Sequence, residues 1–315
     1  MFFRKKNKLI DLLPDVKGRY SSDAPLDDLT WFNVGGPAEV LFRPADEDDL
    51  ARFLRKKPHN VTITVIGIGS NLLIRDGGVP GVVVRLGSPF TDIKVEGEKI
   101  ICGAALTDKK LAKMALKNSI GGFEFLEGIP GTIGGAIKMN AGSFGREMKD
   151  IIESVTIVDE AGKKSVLELD ELNLSYRKSF IPKGWIITSA TLRGYKEDYD
   201  KIKQNMSDFK EKRESSQPIK AKTAGSTFKN PPGLKAWKLI ESCGCKDMKI
   251  GGASLSKKHC NFIVNNGDAT ANDIEMLGEA IIKKVKAKTS IELKWEVRRI
   301  GVKRACDSTF GGAQK

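Results

Sequence analysis

The chain reads as an α+β protein of more than one domain. Three observations carry that reading. A strand, a helix and two further strands alternate between residues 40 and 86. Two hairpins follow, one around Gly97 and one around Glu160-Ala161-Gly162-Lys163, with a helix between them. The last third carries amphipathic helices and a final alternating segment. At 315 residues the chain has room for two or three cores.

Residues 1–20 are basic and unpatterned, and are expected to form a frayed arm. Val40 to Arg43 is a short strand. Asp46 to Lys57 is a helix with its acids first and its bases last, as the helix dipole prefers. Val61 to Ile66 is a β-branched run, the signature of a buried strand, and Val82 to Leu86 is another. Ile93 to Ile101 folds back at Gly97. Thr107 is placed to cap a helix carrying Leu111, Met114 and Ala115, closed by Gly121 and Gly122. Val155–Asp159 and Ser165–Leu169 form the second hairpin, and Trp185–Arg193 a further strand. Tyr199, Ile202, Met206 and Phe209 recur at helical spacing over 198–214, and Pro218 ends that helix. Ala236 to Cys243 is a short helix. Ile274, Leu277, Ile281, Ile282 and Val285 line one face of a last helix. Ile291, Leu293, Trp295 and Val297 alternate, which predicts a closing strand. Residues 302–315 are unpatterned and expected to be disordered.

Composition narrows the function. No apolar run approaches the ~20 residues that span a bilayer. The basic N-terminus lacks the apolar segment of a secretory signal, so a cytoplasmic protein with no membrane partner is expected. Five cysteines, an odd number without zinc-finger spacing, read as buried or idle thiols, and no metal site is expected. The net charge is +13, and residues 196–301 hold 22 Lys/Arg against 14 Asp/Glu. The lysines sit on helix faces among acids, with no interleaved aromatics. A basic face that attracts an anionic small molecule fits better than nucleic-acid binding.

The densest signal is Glu127 to Gly145, EGIPGTIGGAIKMNAGSFG, with glycines at 128, 131, 134, 135, 142 and 145. So many glycines imply positive φ at tight turns, or backbone lying bare against a planar or phosphorylated ligand. A second glycine turn, Gly67-Ile68-Gly69-Ser70-Asn71, follows the strand at 61–66 directly. Neither has Rossmann or P-loop spacing. Two such nests on one chain suggest one long ligand containing a diphosphate. Three other residues stand out. Glu296 alternates with Trp295 and Val297, Arg177 lies in Leu174-Ser175-Tyr176-Arg177-Lys178-Ser179, and Ser226 follows Gly225. On pattern alone these are a surface glutamate, a loop arginine and a turn serine. The residues by themselves leave the chemistry unassigned.

The succession TWFNVGGPAEV, GIGSNLLIRDGG, EFLEGIPGTIGGAIKMNAGSFG, LSYRKSF, AGSTFKNP, IGGASLSKKHCNFIVNNGDATANDI and LKWEVRRIG resembles the UDP-N-acetylenolpyruvoylglucosamine reductase family, over residues 21–301. The short connection after Arg177 is similar to the family's type II form. The resemblance implies an FAD-binding fold of the PCMH, vanillyl-alcohol-oxidase kind in 21–195, made of subdomains at 21–87 and 88–195. It implies a C-terminal α+β substrate-binding domain at 196–301. Gly67, Gly69, Ser70 and Asn71 would hold the FAD diphosphate. Pro130, Gly131, Thr132, Gly134, Gly135, Ala136, Asn140, Ala141 and Gly142 would lie against the flavin and its phosphates.

The resemblance also gives the three isolated residues roles in peptidoglycan precursor synthesis. Hydride passes from NADPH, as co-substrate, through FAD to the terminal methylene of UDP-N-acetylglucosamine enolpyruvate, giving UDP-N-acetylmuramate. Arg177 and a protonated Glu296 would stabilise the charge that develops on the carboxylate side. Ser226 would protonate the α-carbon, with Lys229 as its helper. Asn230 would contact substrate, and a monomer is expected. Ser143 and Phe144 stand where the family more often has alanine and tyrosine.

Overall fold

The computed structural model describes residues 8–304. They divide into two compact units. One comprises 8–22, 39–67 and 81–212; the other comprises 23–38, 68–80 and 213–304.

Besides two short two-stranded pairings, the first unit has two larger sheets. One runs in the order Arg19–Ala24, Ala38–Arg43, Val79–Arg85, Ile63–Ile66. Its last pair is parallel, with Ile63 opposite Val82. Helix α1, Glu47–Lys56, is capped by the Asp46 carboxylate, which accepts from the Asp49 N–H at 2.7 Å. Its apolar face puts Leu50, Phe53 and Leu54 into a core with Val40, Phe42, Val82 and Val84. The second sheet is antiparallel throughout, in the order Lys164–Glu168, Ile152–Val158, Ile186–Arg193, Lys99–Gly103, Ile93–Glu96. Against it lie α2, Asp108–Lys117, and the short α3, Ile133–Lys138. Ile100, Leu111, Phe125, Ile133, Ile137 and Leu192 are buried in one core. Helix α4, Tyr199–Ser216, adds Ile202 and Met206 to it.

The second unit holds α5, Ala236–Ser242, and α6, Ala271–Thr289. It also has a three-stranded antiparallel sheet, Lys249–Ile250, Ala253–Leu255, Ile263–Asn265. The N-terminus of α6 is closed by a Thr270–Asp273 capping box, and by Asp76, which accepts from the Ala271 and Asn272 N–H groups at 3.0 and 2.9 Å. Leu72–Ile74 pairs in parallel with Arg298–Ile300. Phe32, Val34 and Leu73 share a core with Ile274, Leu277, Ile281 and Val285.

Several expectations change. The partition is interleaved rather than linear, because the buried side chains and strand pairing of 23–38 and 68–80 are satisfied by C-terminal segments. Residues 8–20 are not a frayed arm. Leu9–Leu12 forms a 3₁₀ turn, and Leu9, Ile10, Leu13, Val16 and Tyr20 pack on the first unit's smaller core. The closing strand is Arg298–Ile300, not 291–297. Leu293 and Val297 are buried, but the backbone there pairs only at a Phe228–Trp295 bridge. Helix α2 ends at Asn118, with Ser119 at φ +55°, before the glycines expected to close it. The expected tail lies largely outside the described residues.

Glu275 on α6 is nearly buried and bound by two cations. Arg75 meets both of its carboxylate oxygens at 2.9 Å, and Arg299 meets Oε1 at 2.9 Å. Hydrogen bonding to Arg75 holds its carboxyl below the usual range against the opposing effect of burial. Replacing Glu275 by alanine leaves two partly buried guanidinium groups without their shared partner. We expect a loss of about 3 kcal/mol in denaturant unfolding at neutral pH. Because the folded-state pKa is depressed, this contribution is present above the unfolded value of about 4.3. It is lost as pH falls through the folded value, so the variant and the parent converge in acid.

Candidate active site

The first glycine turn begins where the Ile63–Ile66 strand ends. Among the described residues, the N–H groups of Gly67, Ile68, Gly69 and Ser70 meet no acceptor, although the Gly69 carbonyl accepts from Trp31 at 3.2 Å. Four successive N–H groups without an acceptor, in a largely half-buried turn with Gly69 at φ +71°, have the donor pattern that suits an anion. Gly67 is required by its neighbour, since a Cβ there would stand 2.8 Å from Thr132 Oγ1. The side chain of Asn71 donates to the Glu296 carbonyl at 3.3 Å, and its own carbonyl accepts from Arg298 at 3.0 Å.

In the central stretch, only Gly145 of the six glycines adopts positive φ. Gly128, Gly131, Gly134 and Gly142 serve close approach. Gly131 packs on Asp108, and Gly134 on Ala104, with a Cβ at 3.0 Å. The Ile133 and Gly134 N–H groups donate to the Leu106 and Ala104 carbonyls at 2.9 and 2.8 Å, which fixes the backbone entering α3. A Cβ on Gly135 would meet only Thr132 Oγ1, at 3.5 Å, so that face is open to a flat ligand. Taken separately, a run of unpaired N–H groups suits a phosphate, and a bare glycine face suits a flat ring.

Asn140 is not a free ligand. It is fully buried at φ +42°. Its amide donates to Glu147 Oε2 at 3.0 Å and to the Ser175 carbonyl at 3.1 Å, and its Oδ1 accepts from the Lys149 N–H at 3.0 Å. Ala141 is likewise committed, donating to Ala136 and accepting from Met148. Arg177 sits at φ +54° in a turn closed by reciprocal Ser175 and Lys178 backbone bonds. Its guanidinium donates to the Gly142 carbonyl at 2.9 Å and the Asn140 carbonyl at 3.4 Å, with Glu147 at 3.9 Å. Asn140 thus ties together the two loops that aim Arg177.

In the second unit, Ser226 and Glu296 are joined through one residue. The Glu296 N–H donates to the Thr227 carbonyl at 2.8 Å. Asn261 clamps the same loop: its carbonyl accepts from Thr227 at 2.7 Å, and its side chain bonds the Phe228 N–H and carbonyl at 3.0 and 2.9 Å. Ser226 is half-buried and follows Gly225 at φ +81°. Lys229 donates its N–H to the Lys294 carbonyl at 2.8 Å. The Asn230 side-chain carbonyl accepts from the Ala236 N–H at 3.0 Å. Sequence reasoning missed Asn261 and Glu147, whose roles are visible only through partners distant in the chain.

Cys102, Cys243, Cys245 and Cys260 are free and buried, and burial beside Asp108 pushes the Cys102 thiol up to about 12. Among the described residues no group of three or more His, Cys, Asp or Glu side chains could hold a metal, and no helix is long and apolar enough to cross a membrane. A cavity of about 700 Å³ at the end of α1, lined by Arg52, Arg55, Lys56, Lys163 and Lys164, contains none of the candidate residues.

Residues 38–167 match a family model described as an FAD binding domain. With the α+β fold and the glycine turns, this defines a flavin-dependent oxidoreductase. Residues 217–300 match the model of the UDP-N-acetylenolpyruvoylglucosamine reductase C-terminal domain. A UDP-N-acetylenolpyruvoylglucosamine reductase of Paramagnetospirillum magneticum is 52% identical over 304 residues, 96% of this chain and 99% of that protein. One from Rhodospirillum rubrum is 48% identical, with 95% of each covered. The crystal structure of the enzyme from Thermus caldophilus superposes with a TM-score of 0.79 at 35% identity, covering 91% of this chain and 100% of that one. The chain belongs to the UDP-N-acetylenolpyruvoylglucosamine reductase family.

Proposed function

We propose that the protein reduces the enolpyruvyl ether of UDP-N-acetylglucosamine enolpyruvate to UDP-N-acetylmuramate, with NADPH as the electron donor, in peptidoglycan synthesis. The observation that carries this is the near full-length likeness to reductases of that name. It is supported by the backbone link that holds Glu296 beside the Ser226–Thr227 turn. Gly67, Gly69, Ser70 and Asn71 hold the FAD diphosphate, and the Gly131–Gly135 backbone lies against the ring system. The cofactor supplies hydride chemistry that side chains lack.

The chain's own residues manage charge and protons. Hydride addition at the substrate's methylene carbon leaves negative charge delocalised toward its carboxylate. Arg177 and Glu296, in its protonated form, stabilise that charge by donating hydrogen bonds to it. Ser226 delivers the proton to the α-carbon, completing reduction of the double bond. Lys229, three residues on, offsets the weak acidity of a hydroxyl, and the Asn230 NH₂ holds the substrate. Asn140 and Ala141 act as spacers. The surplus of lysines in 196–301 favours polyanionic substrates.

The test is an anaerobic absorbance experiment on purified protein. The visible flavin band is expected to bleach on adding NADPH and to return on adding UDP-N-acetylglucosamine enolpyruvate. A band that returns with oxygen but ignores that substrate would indicate an oxidase. A protein that takes up no FAD would defeat the reading.

A further inference from the structure

Asp108, the first residue of α2, is completely buried. Neither carboxyl oxygen has a hydrogen-bond partner among the described residues. Its surroundings belong to the cofactor loop. The Asp108 N–H donates to the Gly131 carbonyl at 3.1 Å, and a Cβ on Gly131 would come within 2.6 Å of Asp108 Oδ2. The neighbouring Thr107 and Thr132 pair across the same contact. The backbone at 130–132 therefore rests directly on this carboxyl.

A carboxylate without water or a cation is strongly disfavoured at such a place, and burial holds the group neutral well above the usual carboxylate range. The titratable groups on the packed elements do not relieve it. Cys102, on the adjoining strand, is a neutral thiol. The Glu124 carboxylate accepts from the Gly122 N–H at 2.8 Å, and Glu127 pairs with Lys109 at 3.2 Å. Lys110, Lys113 and Lys117 on α2 face solvent.

We propose that Asp108 is a positioning residue for FAD. Its neutral carboxyl keeps the Gly131–Thr132 backbone in the form that seats the cofactor, and ionisation releases that backbone. The proposal rests on the assignment of this loop to FAD. Bound FAD keeps the loop closed over the carboxyl, so the group's pKa is higher in the loaded protein than in the free one. Affinity is then complete below the free-protein pKa and is lost as pH rises through it, by about tenfold per unit.

The experiment measures the FAD dissociation constant by flavin fluorescence for the wild type and Asp108→Asn, from about pH 6 to about pH 10. The wild type is expected to weaken by up to about tenfold per unit where Asp108 ionises in the free protein, while the permanently neutral amide holds its affinity within about twofold; a wild type whose affinity is flat across the range overturns the proposal. An equally steep alkaline loss in the variant overturns the proposal. A wild type that takes up no FAD at neutral pH overturns the loop assignment itself. Should the variant fail to fold, infrared spectra of wild-type protein carrying ¹³C-labelled aspartate decide the matter. A protonated aspartyl stretch that is present in the loaded protein at neutral pH and is lost at alkaline pH as FAD is released supports the proposal, and its absence from the loaded protein at neutral pH refutes it.

Discussion

Replacing Ser226 by alanine is expected to leave FAD bound and reducible by NADPH, while slowing its reoxidation by the enolpyruvyl substrate about 10²–10⁴-fold. The fold should survive. Thr227 and Phe228 are held by Asn261, and Glu296 is held by the Thr227 carbonyl, all independently of the serine hydroxyl. The variant therefore removes one oxygen from a rigid loop. Single-turnover stopped flow separates the two half-reactions. Slow reoxidation with normal reduction places the loss at the protonation step, and an unchanged rate would assign the proton to another donor. Ser226→Cys should recover part of the rate, since a thiol is the stronger acid.

Asn140→Leu should have the second large effect, on stability and turnover together. The side chain is fully buried and makes three hydrogen bonds, to Glu147, Ser175 and Lys149. An isosteric apolar side chain leaves those partners unsatisfied, which costs on the order of 3 kcal/mol in denaturant unfolding. The position also has φ +42°, which a bulky side chain tolerates poorly. Turnover should fall further than stability alone explains, because the Asn140 and Gly142 carbonyls that receive the Arg177 guanidinium would shift. The diagnostic is a double-mutant cycle with Arg177→Lys. Strong non-additivity in kcat is expected, and additive losses would show that Asn140 does not act through Arg177.

Local chemistry made much of this fold legible. The acid-first, base-last order of 46–57, the Thr107 cap and the apolar periodicity of α6 depend on residues within a few positions of one another. The glycine content suggested backbone held close to something, and for four of the six central glycines that something is the chain itself, at Phe144, Asp108, Ala104 and Arg146. Alternation misled at 291–297. Leu293 and Val297 face a core as the pattern demands, but the neighbouring backbone bonds loop residues 227 and 229 instead of forming a continuous ladder.

The sequence alone determined the family, the ordered motifs and the basic net charge, since each is written in residue identity and short-range spacing. Tertiary structure decided how those motifs are held. Leu72–Ile74 lies beside Arg298–Ile300, Asp76 closes α6, and Asn140 braces the turn of Arg177. It also decided that Asp108, an ordinary helix-start acid by its position, is a buried carboxyl with no hydrogen-bond partner among the described residues. Such outcomes depend on which distant segment supplies or withholds a hydrogen bond, and hydrophobic periodicity carries no information about that choice.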